Sequence, residues 1–176
     1  MATSEKLTNI DKWLYEFLLD AFEIMPMRLV KLIANYYTDA RVRKIYWKRI
    51  GIEMGEGTYA NLGLRIATNE NRIHVKIGNF VSIAPNVTFV VDSTANNGKE
   101  INKLPYVRDV LTKSGDIVVD DEVWIGASVT ILPGVHIGKC SVIGAGSLVL
   151  ADVEPYSIYV GVPAKKIRNL RTGKRI

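Results

Sequence analysis

Residues 119–154 read VDDEVWIGASVTILPGVHIGKCSVIGAGSLVLADVE, and the stretch keeps a strict six-residue beat. An aliphatic residue returns at Val119, Ile125, Ile131, Ile137, Ile143 and Val149. Four places after each stands a smaller one: Val123, Val129, Val135, Ser141, Ser147 and Val153. A period of six matches neither the 3.6 of a helix nor the two of an alternating strand. Short internal repeats of this kind predict a parallel β-helix, an all-β prism in which each hexad makes one edge and three hexads one coil. Glycine after the aliphatic residue, as at Gly126, Gly138 and Gly144, suits corners where positive φ is needed. Coils stack at about the 4.8 Å spacing of neighbouring strands. Each buries its aliphatic residues only against the coils above and below it.

Outward from this stretch, the same phase holds at Ile77, Ile83 and Phe89, with Val81 and Val87 four places after the first two. The separation from Phe89 to Val119 is a multiple of six, so the interruption between them keeps the phase. Residues 92–116 break the repeat, polar at first (Asp92, Ser93, Thr94, Asn96, Asn97) and mixed later (Tyr106, Val107, Leu111). A loop extruded from one edge is expected, and such insertions tend to carry binding function. Residues 51–76 hold irregular hexad-like turns, the first imperfect coils. Before them, Ile10, Leu14, Phe17, Leu18 and Ala21 recur at helical spacing, and Pro26 starts a second helical segment with a break near Thr38. The repeat ends at Pro155, and 164–170 reads as a short C-terminal capping helix. Three parts result: an N-terminal helical appendage over 1–50, a β-helix domain over 51–160, and a capping segment over 161–176.

The net charge of +5 is unevenly placed. Arg41, Arg43, Lys44, Lys48 and Arg49 form one run without an acid, and Lys165, Lys166, Arg168, Arg171, Lys174 and Arg175 another. A concentrated patch of this kind focuses anionic ligands. The basic residues lack the aromatic platform or groove motif that nucleic-acid binding needs. No apolar run approaches the ~20 residues of a membrane span, and no secretory signal is legible, so a cytoplasmic protein is expected. Trp13 and nearby cations on an amphipathic stripe permit peripheral membrane contact, although packing on the domain or on a partner subunit is the commoner use. The single Cys140 excludes a disulfide framework within the chain.

These residues resemble the hexapeptide-repeat acyltransferases, through Val123-Trp124-Ile125-Gly126, Ile131-Leu132-Pro133-Gly134-Val135, Val142-Ile143-Gly144-Ala145-Gly146-Ser147 and the closing Gly161-Val162-Pro163-Ala164-Lys165-Lys166-Ile167. Within that family the chain looks most like the branch that acetylates sugar or antibiotic hydroxyls. The resemblance implies a left-handed coil, acetyl-CoA as co-substrate, a sugar or glycan acceptor, and a homotrimer with active sites between neighbouring prisms. It also implies that Gly126, Ala127, Ala145 and Gly146 line the pantetheine slot, that Lys165 and Lys166 contact phosphate, and that Trp124 lines the acceptor pocket with Asp92, Ser93 and Asn96.

The reaction needs a general base within hydrogen-bond reach of the attacking hydroxyl. In the resemblance Thr94 stands where the family carries its catalytic histidine, and a Thr hydroxyl is no base at neutral pH. The chain has two histidines, His74 and His136, too few for a three-histidine zinc site, so no metal is expected. His74 precedes Asp92 by one full coil of 18 residues, which places the two on the same edge, where the carboxylate would orient the imidazole. Two readings follow: an O-acetyltransferase using His74, Asp92 and Thr94, or a degenerate, non-catalytic prism acting as a scaffold.

Overall fold

The computed structural model describes residues 2–175 apart from Asn69, Asn71 and Asn96, with the side chains of 2–8 also undescribed. Asn96, one of the expected acceptor contacts, therefore lies outside the described residues. Three helices open the chain: α1 (Ala2–Asp20), α2 (Met27–Tyr36) and α3 (Ala40–Ile50). Pro26 sits at the start of α2, where its missing N–H costs nothing. Asp39 caps α3 by accepting from the Arg41 N–H, and Gly51 ends it at φ 119°.

The repeat then winds into coils. The first holds β1 (Ile52–Met54), β2 (Tyr59–Ala60) and β3 (Arg65–Ala67), and the second β4 (Val75–Ile77), β5 (Ser82–Ile83) and β6 (Thr88–Val90). A hairpin of β7 (Asp92–Ser93) and β8 (Lys113–Ser114), paired antiparallel, then leaves the prism. The third coil is β9 (Ile117–Val119), β10 (Trp124–Ile125) and β11 (Thr130–Ile131), and the fourth β12 (His136–Ile137), β13 (Val142–Ile143) and β14 (Leu148–Val149). Three parallel faces result: β1-β4-β9-β12, then β2-β5-β10-β13 continued by β15 (Ser157–Val160), then β3-β6-β11-β14.

The six-residue phase sets the register. Met54, Ile77, Val119 and Ile137 stack on the first face, Ala60, Ile83, Ile125 and Ile143 on the second, and Ile66, Phe89, Ile131 and Val149 on the third. Ile125, Ile131 and Ile137 are fully buried, as expected. Ser141 and Ser147 fill inward positions where valine stands elsewhere. Their hydroxyls are satisfied, Ser141 donating to the Gly138 carbonyl at 2.7 Å and Ser147 accepting from the Gly161 N–H at 3.1 Å.

Two expectations change. Residues 164–170 do not form a helix: β16 (Lys165–Asn169) runs back antiparallel along β15. The last strand of the second face would otherwise present an open edge, and the returning strand pairs it. The basic run 41–49 is not a free patch either. Arg43, 4% exposed, donates to the carbonyls of Tyr37, Thr38 and Ala60 at 2.7–2.8 Å, tying the α2–α3 break to the first coil. Arg49 donates to Phe22 and Met25 carbonyls, Lys44 to that of Gly55, while Arg41 pairs with Asp39 and Lys48 with Glu53. These cations act as donors that bind the helices to one another and to the prism.

Candidate active site

The coils advance by 18 residues from Val119 to its neighbour Ile137, but by 23 from Met54 to Ile77 and by 42 from Ile77 to Val119. Both surpluses leave at the corner where the third face turns into the first. One lies between β3 and β4, the other between β6 and β9. This corner carries the candidate site, and His74 stands in it immediately before β4.

The His74 ring is 5% exposed, and its Nδ1 lies 3.2 Å from Asp116 Oδ1. Asp116 also receives both prongs of a contact from Arg72, whose Nη1 lies 2.8 Å from each carboxylate oxygen. That hydrogen bond from Arg72, opposed by partial burial and reinforced by His74, holds the Asp116 carboxyl below the usual carboxylate range. An ionised carboxylate only accepts, so this contact calls for a proton on Nδ1, and the tautomer that has it there alone leaves Nε2 as an acceptor. Nε2 is buried and makes no hydrogen bond among the described residues; the nearest acid is Glu70, with Oε2 at 3.8 Å. Glu70 is itself held by Arg72 Nε at 2.9 Å, and its side chain is 65% exposed. The arrangement leaves Nε2 able to take a proton from a hydroxyl brought within hydrogen-bond reach of it.

The expected partner of His74 changes with this geometry. Asp92 lines the same pocket of about 210 Å³, with Thr94, Thr68, Glu70 and Arg72, but the hydrogen-bonded carboxylate is that of Asp116. The reason lies in the ladder: Val75 pairs with Ile117, so their predecessors His74 and Asp116 are cross-strand neighbours. Asp92, one coil after His74, is where the chain departs into the hairpin. The signal was available, because phase conserved across an insertion stacks the residue that resumes the coil, not the one that leaves it. Arg72 and Glu70, in a stretch without hexad pattern, offered no such signal. Ser93 is exposed on β7 and is not among the residues lining this pocket.

Trp124 stands elsewhere. It is 60% exposed on the second face, between Ser82 and Val142, beside a shallow groove with Tyr59 and Asn61. His136 projects from the first face and meets Asp120 at 2.9 Å on the surface. Gly126 and Ala127 follow β10, and Ala145 and Gly146 follow β13, so all four lie at the corner between second and third faces. The Gly146 N–H donates to the Ala127 carbonyl at 2.8 Å, stacking the pairs directly. A Cβ on Gly126 would sit 2.6 Å from the Ala145 nitrogen, so this position admits no larger residue, whereas a Cβ on Gly146 would meet open space. Lys165 is exposed, whereas Lys166 is bound to Glu154 at 2.5 Å and is the weaker candidate for a phosphate.

Residues 116–151 match the model of the bacterial transferase hexapeptide family (six repeats). The chain is 40% identical over 124 residues to a galactoside O-acetyltransferase of Escherichia coli K12, across 68% of this chain and 54% of that protein. It is 38% identical over 112 residues to a probable macrolide acetyltransferase of Lysinibacillus sphaericus, across 57% of this chain and 62% of that protein. The chain thus spans between half and two thirds of these curated relatives. Among solved structures, a galactoside acetyltransferase in complex with coenzyme A superposes with a TM-score of 0.63 at 31% identity, covering 82% of this chain and 78% of that one. A prism of hexads with this sequence likeness defines the class: the chain belongs to the hexapeptide-repeat acetyltransferases.

Proposed function

We propose that this chain is an acetyl-CoA-dependent O-acetyltransferase acting on a hydroxyl of a saccharide, with His74 as general base and Asp116 orienting it. The observation that carries the reading is the buried imidazole whose Nδ1 is fixed by Asp116 and whose Nε2 is left bare beside Glu70. Family membership supports the donor, and the coenzyme A in the related galactoside acetyltransferase supports it further. The described residues fit that group: small residues stacked at one corner let pantetheine approach the backbone, and Lys165 offers a charge to a phosphate.

In this mechanism the acceptor hydroxyl, held near Thr94 and Asp92, gives its proton to His74 Nε2 as its oxygen attacks the thioester carbonyl carbon. The tetrahedral intermediate collapses by breaking the C–S bond. The sulfur leaves with the proton returned by the imidazolium, giving an acetyl ester and free coenzyme A. Asp116, kept ionised by Arg72, stabilises the transient imidazolium. Within one chain the third face separates the small-residue corner from the His74 corner. That separation supports a homotrimer in which one prism supplies the donor slot and its neighbour the base, with Trp124 reaching the acceptor from across the interface. Closed symmetric oligomers are the general rule. We further place the protein in the cytoplasm, with the left-handed winding implied by its family and a role in glycan or polysaccharide decoration.

His74→Gln keeps the size of the side chain and removes the base. Turnover should fall by roughly 10² to 10⁴ with coenzyme A affinity unchanged. Undiminished transfer in that variant would assign the base to another group. If the wild-type chain binds acetyl-CoA but transfers to no saccharide, the scaffold reading replaces this one.

A further inference from the structure

A cleft adjoining the His74 pocket lies between the N-terminal helices and the first coil. It measures about 530 Å³ and is lined by Lys31 and Asn35 of α2, by Arg65 of the first coil, and by the apolar Met27, Ile50 and Ile66. Thr68 and Glu70 line both this cleft and the His74 pocket, so the two adjoin. The charges in the cleft do not cancel. Glu70 is engaged by Arg72 outside it, while Lys31 and Arg65 make no ion pair among the described residues. Their situation differs from that of the 41–49 cations, every one of which has an internal partner.

We propose that this cleft is an acceptor subsite for an acidic saccharide, one bearing a carboxylate or a phosphate on a unit adjoining the one acetylated. The inference rests on the reading that His74 acts on a saccharide hydroxyl. The apolar lining receives the hydrophobic face of a sugar ring, and the two cations attract its anionic substituent. A neutral ring in the same place would take both cations out of water without a counter-charge, which costs free energy. The helical appendage then has a role in specificity: α2 completes a groove that the prism alone leaves open.

The test is titration of the full chain with acidic oligosaccharides, each beside its neutral counterpart: a hexuronate trimer and its carboxyl-reduced form, a sialylated trisaccharide and its desialylated core, and a phosphorylated trisaccharide and its dephosphorylated form. At least one acidic member should bind about tenfold tighter than its counterpart or better, the scale of a charge-assisted hydrogen bond. Which pair shows the preference separates carboxylate from phosphate. In Lys31→Met/Arg65→Met the preference should fall below about twofold, with coenzyme A affinity unchanged as the check on folding. The proposal is overturned if no acidic member is preferred, or if the preference survives in the double variant. His74→Gln should keep the preference. A base reading that fails while the preference stands is thereby told apart from failure of the subsite.

Discussion

Two corners of one prism carry the two halves of the proposed chemistry, and they are built by opposite means. At the corner between the second and third faces the chain turns with Gly126-Ala127 and Ala145-Gly146, and the coils touch so closely that a methyl group on Gly126 has no room. At the corner between the third and first faces the chain instead inserts 68–74 and the β7–β8 hairpin, and the surplus length brings together His74, Asp116, Arg72 and Glu70. On the proposed reading, a slot for a flexible thioester arm needs backbone within reach, which small residues allow. A proton-transfer site needs several side chains converging on one atom, so it is made by adding residues where the coil can release them. The ladder between the corners tolerates both, because each face needs only its inward residues in phase.

Breaking the ladder should abolish the difference by abolishing both corners. Ile137 is fully buried between Val119 and Val153, and Ile137→Asp places an unpaired charge there. A loss of at least about 3–5 kcal/mol is expected, read as the disappearance of the cooperative denaturation transition. The tight corner should be the more fragile of the two. Gly126→Ala should cost about 1–3 kcal/mol, since the backbone of Ala145 must move. Gly98→Ala, out on the extruded arm, would bring its Cβ to 2.2 Å from Ile101 Cγ2 and 3.4 Å from the Ala95 carbonyl oxygen. The exposed Ile101 side chain can turn aside where the Ala145 backbone cannot, so the cost should be the smaller of the two, about 1 kcal/mol or less. Equal costs at the two glycines would remove the contrast.

The open corner should be sensitive in activity rather than in stability. Asp116→Asn should lower turnover by about 10- to 100-fold, part of what the base itself supplies; Asp92→Asn should lower it less. Because the folded Asp116 carboxyl titrates below its ordinary value, it stabilises the native state above the ordinary carboxylate pKa. That contribution is lost as pH falls through the folded value. The difference in stability between wild type and Asp116→Asn should therefore be present at neutral pH and vanish in strong acid. For a side chain half exposed it should not exceed about 1 kcal/mol. Denaturant titrations at several pH values would detect it, and a difference that grew in acid would refute the assigned ion pair.

The hexad was legible because it is a periodic demand of the core: Ile125, Ile131 and Ile137 each had to face inward, and their spacing alone gave the register. The helices before it were legible for the same reason, their apolar stripe and Pro26 marking two of the three segments. The sequence also put His74 and Asp92 on one edge, where they line the same pocket, since 18 residues make a coil whatever the side chains are. That Asp116 rather than Asp92 meets the ring follows from the cross-strand pairing of Val75 with Ile117, which the long hairpin between the two coils hides in the linear sequence. Charge counting did not separate cations that hold the helices, such as Arg43, from those left facing a cleft, such as Lys31 and Arg65. The residues that meet there come from α2 and the first coil, which carry no common period. By itself the sequence determined the prism, its register and the family to which it belongs, because stacking repeats bury only what recurs at a fixed interval. Tertiary structure alone decided which carboxylate contacts His74, which cations remain without an ion pair among the described residues and that the last segment returns as a strand. Those outcomes depend on through-space contacts between segments with no common repeat.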